Sequence, residues 1–332
     1  MNYPHSQEIL DEVKKSEKVL INCHANCDAD SVGSAVSFLH FVKGLGKEAK
    51  IVSPSPIPKN LSFLKETKDI EIVDYEKFDF TAWDLFVVLD SASWERVTGN
   101  KKVSIPSIPI IVIDHHETNE KFGKINMVDE SSPSNCEILF WLFRGWGINM
   151  DANLSTSLLT GVMGDTGGLR FRETKESTFV VVADLMTKRA DRETIILNLF
   201  QSYELLTIKF WVEVLNNLKI DEESGIAWSA TKFEIYKKYE RPVGAKSEIA
   251  DLIFQSVSGS KIGIVMIGED KRLDVSFRSR TGVDVSKIAA KLGGGGHRWA
   301  AAAKILDLPF EKAVEKVLDT AKELMKEKEG KI

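Results

Sequence analysis

Short apolar runs alternate with longer helical patterns through the first half of the chain. The runs are rich in β-branched residues and end in polar ones, which is typical of buried strands. They are KVLINCH (18–24), AKIVS (49–53), LFVVLDS (85–91) and IPIIVIDHH (108–116). The clearest helical pattern, SVGSAVSFLHFVKGL, follows the first run. The alternation predicts an α/β fold whose parallel sheet is covered by helices on both faces.

The middle of the chain, from about residue 151, has helical patterns only. In its last part, residues 189–219, the spacing of Leu197, Phe200, Leu205 and Ile208 predicts an apolar stripe along a helix. We therefore expect a first domain over residues 1–188, a helical connector over 189–219 and a second, smaller α/β domain over 220–332.

Strand patterns return in the last part of the chain. They are IAWSAT, KIGIVMI and LDVSFRSR, and the turn GEDK (268–271) predicts a hairpin between the last two. A helix is expected after the hairpin, with Asp284 as its N-cap and Gly293 at its end.

Composition restricts the class of protein. The chain has 332 residues, of which 43% are hydrophobic and 28% charged, and a formal net charge of -5. This acidic balance argues against broad adhesion to DNA or to anionic membranes, but it permits a small site for a phosphorylated ligand. No apolar stretch is long enough to span a bilayer, and the polar N-terminus does not resemble a signal peptide. We expect a cytoplasmic protein with three reduced cysteines.

Polar residues stand where three of the predicted strands end. These residues are His24, Asp90 and Asp114. In open α/β sheets, ligands bind at the carboxyl ends of the strands, so we expect the three side chains to share a crevice.

Four motifs of the first half share one chemistry. They are HANCDAD (His24, Asp28, Asp30), VVLDS (Asp90), VIDHH (Asp114, His115, His116) and MGDTGG (Asp165). If the motifs converge, their carboxylates repel one another unless cations are bound. Carboxylate oxygen and neutral imidazole are ordinary ligands of divalent metals. Two ions roughly 3.5–4 Å apart would provide a hydroxide nucleophile and a clamp for phosphoryl oxygens.

Each motif also has a simpler interpretation. An aspartate at a strand end is often a helix N-cap, and GDTGG can be a flexible turn. Cys23 and Cys27 can suggest a zinc site, but strand alternation turns Cys23 away from His24. We therefore interpret both cysteines as buried small side chains, with Cys27 near the crevice.

A glycine-rich motif, KLGGGGHRWAAAAK (291–304), stands near the C-terminus. Glycines at this density allow backbone amides to approach a phosphate, although one of them can simply end a helix. In the preceding strand, alternation places Arg278 and Arg280 on the face opposite the core, with Ser276. Arginine suits bidentate contacts with phosphate, but exposed arginines on a strand are usually only solvated.

The combination of HANCDADSVGS, VVLDS, VIDHH, TGVMGDTGG and GGGGH resembles the DHH-family phosphoesterases that carry a DHH-associated C-terminal domain. The resemblance covers nearly the whole chain, with all motifs in the family's order. Within the family, the chain is most similar to the nanoRNase/oligoribonuclease type, which also acts on 3′-phosphoadenosine 5′-phosphate (pAp).

The resemblance implies two Mn²⁺-type ions, with Mg²⁺ or Co²⁺ as alternatives. One ion would be held by His24, Asp28 and Asp90, and the other by Asp30, Asp90, His115 and Asp165. Asp114 would orient a histidine, and His116 would contact the scissile phosphate or the leaving oxygen.

The resemblance also implies that the second domain binds the far phosphate or sugar of the substrate. The residues expected to do so are Arg278, Arg280, Gly294, Gly295, Gly296 and His297. Two departures from the family pattern affect local geometry. Cys27 and Ala29 replace the usual proline and glycine, and Ala300 to Ala303 contain no glycine.

The first hypothesis for function is therefore a phosphodiesterase acting on linear dinucleotides such as pApA or pGpG and on other very short RNAs. The alternatives are a 3′-phosphatase on pAp, a RecJ-like exonuclease on longer single strands, a pyrophosphatase of the same superfamily and a non-catalytic nucleotide sensor. The acidic balance disfavours the exonuclease. The sequence does not determine the oligomeric state, although a homodimer is common in similar proteins. Neither membrane nor long duplex nucleic acid is expected as a partner.

Overall fold

The computed structural model describes residues 3–242 and 244–329. The chain forms two compact units, Met1–Ser202 and Tyr203–Ile332. The division between them lies inside the predicted connector 189–219, which contains two separate helices with Gln201–Glu204 between them.

The first unit contains a parallel sheet and seven α-helices among its described residues. Its strands are β1 (Lys18–Asn22), β2 (Glu48–Ser53), β3 (Glu71–Ile72), β4 (Leu85–Leu89), β5 (Ile110–Asp114) and β6 (Ile125–Val128). Its helices are α1 (Ser6–Lys15), α2 (Ala29–Gly44), α3 (Trp94–Thr98), α4 (Asn135–Gly145), α5 (Ala152–Asp165), α6 (Glu176–Thr187) and α7 (Arg192–Phe200). All four strands predicted for this half are present, and the sequence patterns missed β3 and β6.

The strand order of the first sheet is β3-β2-β1-β4-β5-β6, and every neighbouring pair is parallel. This order reverses direction between β1 and β4. Such a reversal opens a crevice at the carboxyl ends of the two strands, because the connections leave toward opposite sides. The topology therefore defines where a ligand can bind.

Alternation along the central strands produces two cores. Val87 and Leu89 of β4 pack with α1, α2, α4 and α5, whereas Phe86 and Val88 face the other side. That second side is covered by α3, which contributes Trp94, and by aromatic side chains from loops. Helices therefore lie on both faces of the sheet, as predicted, but most of them lie on one face.

The second unit contains a mixed sheet. Its elements are α8 (Leu205–Asn216), β7 (Lys219–Asp221), β8 (Ile226–Thr231), α9 (Phe233–Lys238), α10 (Ala245–Leu252), β9 (Ile262–Glu269), β10 (Arg272–Ser279), α11 (Val285–Lys291), β11 (Gly295–Gly296), β12 (Ala300–Leu306) and α12 (Phe310–Glu329). The strand order is β11-β12-β10-β9-β8-β7, in which only β8 and β9 are parallel. The hairpin at 268–271 and the Asp284 N-cap of α11 are confirmed.

The alanine run 300–303 forms the start of β12 and pairs with β10 along its length. Alanine carries little strand preference of its own, so this pairing depends on the neighbouring strand. The predicted apolar stripe of the connector is divided between two helices. Leu197 lies on α7, whereas Leu205 and Ile208 lie on α8, and all three are exposed. Within 3–242 and 244–329, no helix has the length and apolar character needed to cross a membrane.

Candidate metal centre

The crevice between β1 and β4 is lined by the predicted acidic and histidine motifs. His24 follows β1, Asp90 follows β4 directly, and Asp114 is the last residue of β5. His115 and His116 continue from Asp114 at the same edge. Parallel strands bring their carboxyl ends together, so residues far apart in sequence meet here, as expected.

The start of α2 supplies Asp28 and Asp30 in two different ways. Asp28 is the N-cap of α2, and its Oδ1 accepts hydrogen bonds from the backbone N–H groups of Asp30 and Ser31. The capping interpretation is therefore correct for Asp28, yet its Oδ2 lies 3.5 Å from Nε2 of His24. Asp28 can cap the helix and bind a ligand with different oxygens.

Asp30 is held at the N-terminus of α4. Its Oδ2 accepts from the N–H of Asn135 at 2.6 Å, and its Oδ1 accepts from the N–H of Cys136 at 2.9 Å. Both N–H groups belong to the first turn of a helix, where backbone donors lack intrahelical partners and the dipole favours negative charge. This clamp fixes the orientation of a fully buried carboxylate.

Asp165 reaches the cluster because α5 packs unusually close to α2 and α4. A Cβ atom at Gly161 would lie 2.4 Å from Oδ1 of Asp30 and 2.3 Å from Sγ of Cys136. A Cβ atom at Gly164 would lie 2.6 Å from the Cβ of Ala29. The glycines before Asp165 therefore serve helix packing. Gly167 and Gly168 have positive φ angles and end the helix, so the turn interpretation of GDTGG holds for its last two residues.

Two groups of potential ligand atoms share Asp90. On one side, Nε2 of His24 lies 3.4 Å from Oδ2 of Asp90 and 3.5 Å from Oδ2 of Asp28. On the other side, Nε2 of His115 lies 3.3 Å from Oδ1 of Asp90 and 3.4 Å from Oδ2 of Asp165. Asp30 completes the second group, with Oδ2 at 4.0 Å from Nε2 of His115. The two oxygens of one carboxylate thus face two different groups.

Asp90 adopts a backbone conformation that few residues tolerate. Its φ angle is +51°, in the left-handed region where aspartate and asparagine are enriched and β-branched residues are strained. Its N–H donates to the carbonyl of Ile113, so the sheet holds the turn in place. This uncommon backbone conformation occurs at the residue whose carboxylate both groups share, as is common at functional sites.

Hydrogen bonding at the histidines matches a metal site. Nδ1 of His24 lies 3.1 Å from the carbonyl of Ala25, and Nδ1 of His115 lies 3.2 Å from the carbonyl of Ser132. A carbonyl can only accept, so Nδ1 carries the proton in the neutral ring and Nε2 has the lone pair. Oδ1 of Asp90 and Nε2 of His115 are buried and lie 3.3 Å apart, but neither atom has a hydrogen-bond partner of normal geometry among the described residues. Buried carboxylate and imidazole groups that lack hydrogen bonds are suitable ligands for a divalent metal ion.

The pKa values of the cluster are shifted by burial and by the charged groups close to one another. Burial opposes the charge on His24, but nearby carboxylates outweigh it and raise its pKa to about 10. Burial and the charge of Asp90 raise the pKa of Asp30 to about 7. Burial and neighbouring carboxylates raise the pKa of Asp165 as well, whereas His115 and His24 overcome burial and lower the pKa of Asp90. Without metal, protons therefore take the place of cations in the cluster.

Asp114 is buried beside the two groups and contacts His116. Its Oδ1 lies 2.8 Å from Nδ1 of His116, and its Oδ2 accepts from Nδ2 of Asn119 at 2.6 Å. Burial opposes the charge on His116, but Asp114 and the charge of Asp90 raise its pKa. Sequence reasoning missed Asn119, whose signal is an amide five residues after Asp114 on the same strand-end loop.

The predicted substrate residues of the second unit lie in or just after β10, in or just before β11, and in the turn after β11. Arg278 forms a bidentate ion pair with Asp251, through Nε to Oδ1 and through Nη2 to Oδ2 at 2.9 Å. Nη1 of Arg280 donates to the carbonyl of Ser260. The N–H of His297 donates to the carbonyl of Ala300, which closes the turn between β11 and β12.

The glycine-rich motif is shaped by its neighbour β12. Gly293 has a φ angle of +75° at the end of α11. A Cβ atom at Gly294 would lie 2.1 Å from the carbonyl oxygen of Ala302, and one at Gly296 would lie 2.5 Å from Cα of Ala301. A Cβ atom at Gly295 would meet nothing within 4 Å. Three of the four glycines therefore have a structural reason, and Gly295 does not.

The three cysteines are buried free thiols. This agrees with the interpretation of Cys23 and Cys27 as small core side chains.

Comparisons with known proteins agree with this architecture. Residues 18–163 match the DHH family, N-terminal domain, and residues 235–327 match the DHHA1 domain. The chain is 31% identical over 329 residues to a protein from Thermus thermophilus named bifunctional oligoribonuclease and PAP phosphatase NrnA, covering 97% of this chain and 95% of the relative.

Two solved structures share the fold. An exopolyphosphatase-related protein from Bacteroides fragilis superimposes with a TM-score of 0.88 at 22% identity, over 97% of each chain. The exonuclease RecJ bound to manganese superimposes with a TM-score of 0.53 at 14% identity, over 97% of this chain and 95% of RecJ. The extent of the match to the Thermus relative and the two domain matches together show that the chain belongs to the DHH family and carries a DHHA1 domain.

Proposed function

We propose that this protein is a metal-dependent phosphodiesterase that hydrolyses very short 5′-phosphorylated oligonucleotides, such as pApA and pGpG, to mononucleotides. The observation that carries the proposal is the pair of ligand groups that share the carboxylate of Asp90. The name of the Thermus relative, an oligoribonuclease and PAP phosphatase, supports the class of substrate.

Two divalent ions, Mn²⁺ in the first place, are part of this proposal. His24, Asp28 and Asp90 would hold one ion, and Asp30, Asp90, His115 and Asp165 would hold the other. When bound, such ions lower the pKa of a water molecule and offer positive charge to phosphoryl oxygens. Mg²⁺ and Co²⁺ are the alternatives, and of these Mg²⁺ prefers oxygen ligands to imidazole. The manganese bound to RecJ supports Mn²⁺ as the first choice.

The proton for the leaving oxygen is assigned to His116. Asp114 holds Nδ1 of this ring, so Nε2 is the nitrogen that can donate toward the substrate. Burial opposes the charge on His116, but Asp114 and the charge of Asp90 raise its pKa, which favours the protonated ring that a general acid requires. Asn119 keeps Asp114 in position through the other carboxylate oxygen.

The second unit is proposed to bind the far phosphate or the sugar. Arg278, Arg280 and His297, with the amides of Gly294, Gly295 and Gly296, form the proposed contact set. Because Asp251 already orients the guanidinium of Arg278, Arg278→Ala should also leave a carboxylate without its partner. We expect this variant to raise KM and to weaken the preference for short substrates.

Two further features belong to the proposal. A cytoplasmic location agrees with the three free thiols. A homodimer agrees with the exposed apolar stripe of Leu205, Ile208, Val212 and Leu215 on α8, and light scattering would test it. The domain limits 1–188 and 220–332, with 189–219 between them, also stay a prediction.

Phosphatase action on pAp is the second candidate, because the Thermus relative carries both activities in its name. A sensor without catalysis has no reason to keep every ligand, yet the motifs contain all six predicted metal ligands. An exonuclease on long strands needs a basic channel, which the net charge of -5 does not favour.

The decisive experiment is turnover with Mn²⁺ on a substrate panel. The panel contains pApA, pGpG, pAp, cyclic di-AMP, pyrophosphate and RNAs of increasing length. We expect the highest kcat/KM on the linear dinucleotides. A highest value on pAp would favour the phosphatase, and one on long strands or on pyrophosphate would reject the proposal.

A further inference from the structure

Arg96 reaches the metal centre from a helix to which the sequence motifs assign no chemistry. It lies in α3, which follows the turn after Asp90. Its Nη2 lies 3.3 Å from Nε2 of His24, and its carbonyl accepts a hydrogen bond from the N–H of Ala25 at 2.8 Å. Ser93 caps the helix by accepting from the N–H of Arg96. Backbone and side chain therefore both fix Arg96 against the HANCDAD motif.

The atom that Arg96 contacts is a potential metal ligand. Because Nδ1 of His24 lies against the carbonyl of Ala25, Nε2 has the lone pair when the ring is neutral, and oxygens of Asp28 and Asp90 approach the same nitrogen. A guanidinium and a divalent ion cannot both use this lone pair. Two positive charges side by side also repel each other unless an anion lies between them. Asp28 and Asp90 already supply negative charge here, and a phosphate oxygen that lies between a bound ion and the guanidinium would be attracted by both positive charges.

The position of the guanidinium suits an anion that enters from solvent. Arg96 is an exposed residue and the side chain of Asp28 is 54% exposed, whereas His24 is only 1% exposed. The planar fork of arginine matches two oxygens of a phosphate. Arg96 therefore stands at the open side of the first ligand group, where a phosphate would approach.

We infer that Arg96 contacts the non-bridging oxygens of the substrate phosphate that is held beside His24 and Asp28. This inference rests on the proposed function, because it assigns a residue to its phosphate site. Arg96 would supply a positive charge to the phosphate in addition to that of the bound ion, and it would set the orientation of the phosphate. It would not be a metal ligand, because guanidinium has no lone pair to offer.

A purely structural role for Arg96 makes a different prediction. If Arg96 only held His24 in place, its removal would weaken the binding of Mn²⁺. If it contacts phosphate, its removal takes a cation away from the ligand group, so Mn²⁺ should bind as tightly as before or more tightly. The affinity for metal, measured without substrate, therefore separates the two roles.

The test compares Arg96→Gln, Arg96→Lys and a matched control, Lys101→Gln. Lys101 lies just beyond α3, is 78% exposed at its side chain and pairs with Glu95, so the control removes a nearby positive charge. Calorimetric titration gives the Kd of Mn²⁺ and then the Kd of AMP on the Mn²⁺-loaded protein. Turnover of pApA gives kcat and KM.

We expect Arg96→Gln to weaken AMP binding about 10- to 100-fold, as for loss of a charged hydrogen bond, with no loss of Mn²⁺ affinity. Arg96→Lys should recover part of the loss, and Lys101→Gln should match wild type. Unchanged AMP binding in Arg96→Gln, or an equal loss of Mn²⁺ and AMP affinity, would overturn the inference. If wild type binds AMP but hydrolyses no substrate of the panel, the proposed function fails while the AMP result still decides the role of Arg96.

Discussion

The carboxyl edge of the first sheet and the glycine-rich segment of the second unit both carry dense motifs. The two regions differ in how many of their groups have hydrogen-bond or packing partners within the protein. At the sheet edge, Oδ1 of Asp90 and Nε2 of His115 are buried without a hydrogen bond of normal geometry, although they lie 3.3 Å apart. In the second unit, Arg278 is paired with Asp251, and Gly294 and Gly296 are packed against β12. A motif whose groups lack partners needs a ligand, whereas a motif whose groups have partners can be explained by folding alone.

The largest effect is expected from Asp90→Asn. Asparagine tolerates the left-handed backbone of Asp90, so the fold should survive while the shared negative charge is lost. We expect kcat/KM on pApA to fall by about 10³-fold or more, because both ligand groups lose a member. A thermal unfolding measurement of the same variant shows whether it is still folded. Full turnover with Mn²⁺ would show that the sheet edge does not require the carboxylate that the two groups share.

Gly161→Ala tests whether helix packing sets the position of Asp30. The new methyl group would collide with Oδ1 of Asp30 and Sγ of Cys136. We expect the free energy of unfolding to fall by about 1–3 kcal/mol, as for overpacked cores, together with weaker Mn²⁺ binding. Chemical denaturation and metal titration measure the two effects.

Gly145→Ala is the matched control, since Gly145 ends α4 and a Cβ atom there meets nothing within 4 Å. Its effect should stay within about 0.5 kcal/mol. Equal behaviour of the two variants would contradict the packing explanation.

The pH dependence of Mn²⁺ binding follows from the protons that the cluster holds. Below a pKa of about 10 for His24 and about 7 for Asp30, these groups are protonated in the metal-free protein. Metal must displace these protons, so affinity should rise with pH. Release of one proton per ion gives about a tenfold gain in affinity for each pH unit. Calorimetry in buffers of different ionisation enthalpy counts the protons, and an affinity independent of pH would contradict the protonated state.

The smallest effect is expected from Gly295→Ala, which probes the second unit. Because a Cβ atom there meets nothing, stability should change by no more than about 0.5 kcal/mol, whereas Gly294→Ala should destabilise the protein by about 1–3 kcal/mol. If the segment also binds phosphate, Gly295→Ala should raise KM for pApA about threefold, or by roughly 0.7 kcal/mol. An unchanged KM would leave folding as the explanation of Gly293, Gly294 and Gly296 and would remove Gly295 from the proposed phosphate contacts.

The sequence predicted those strands and helices that have a clear pattern of apolar and polar residues within their own segment. Buried strands such as β4 and β5 are continuous apolar runs, and the polar residues that end them indicated the ligand edge. The alanines of β12 alternate in burial but not in chemical character, so no pattern revealed that strand. Strands β3 and β6 are short and lie at the two edges of the sheet.

The ligand candidates could be identified from residue type, but their supports could not. The clamp on Asp30 consists of backbone N–H groups of Asn135 and Cys136, which every residue except proline possesses. The role of Gly161 depends on a helix crossing that joins residues more than a hundred positions apart. Arg96 had a visible signal, a cation six residues after Asp90, but its contact with His24 needs the position of α3.

The clamp on Asp30 also bears on which ion the centre selects. Each of its oxygens already accepts one backbone N–H, so the carboxylate has a fixed orientation. Calcium prefers six to eight oxygen ligands, often with bidentate carboxylates, and has little use for imidazole. If the centre binds divalent metal as proposed, we expect its two histidines and the fixed carboxylate of Asp30 to disfavour Ca²⁺ relative to Mn²⁺.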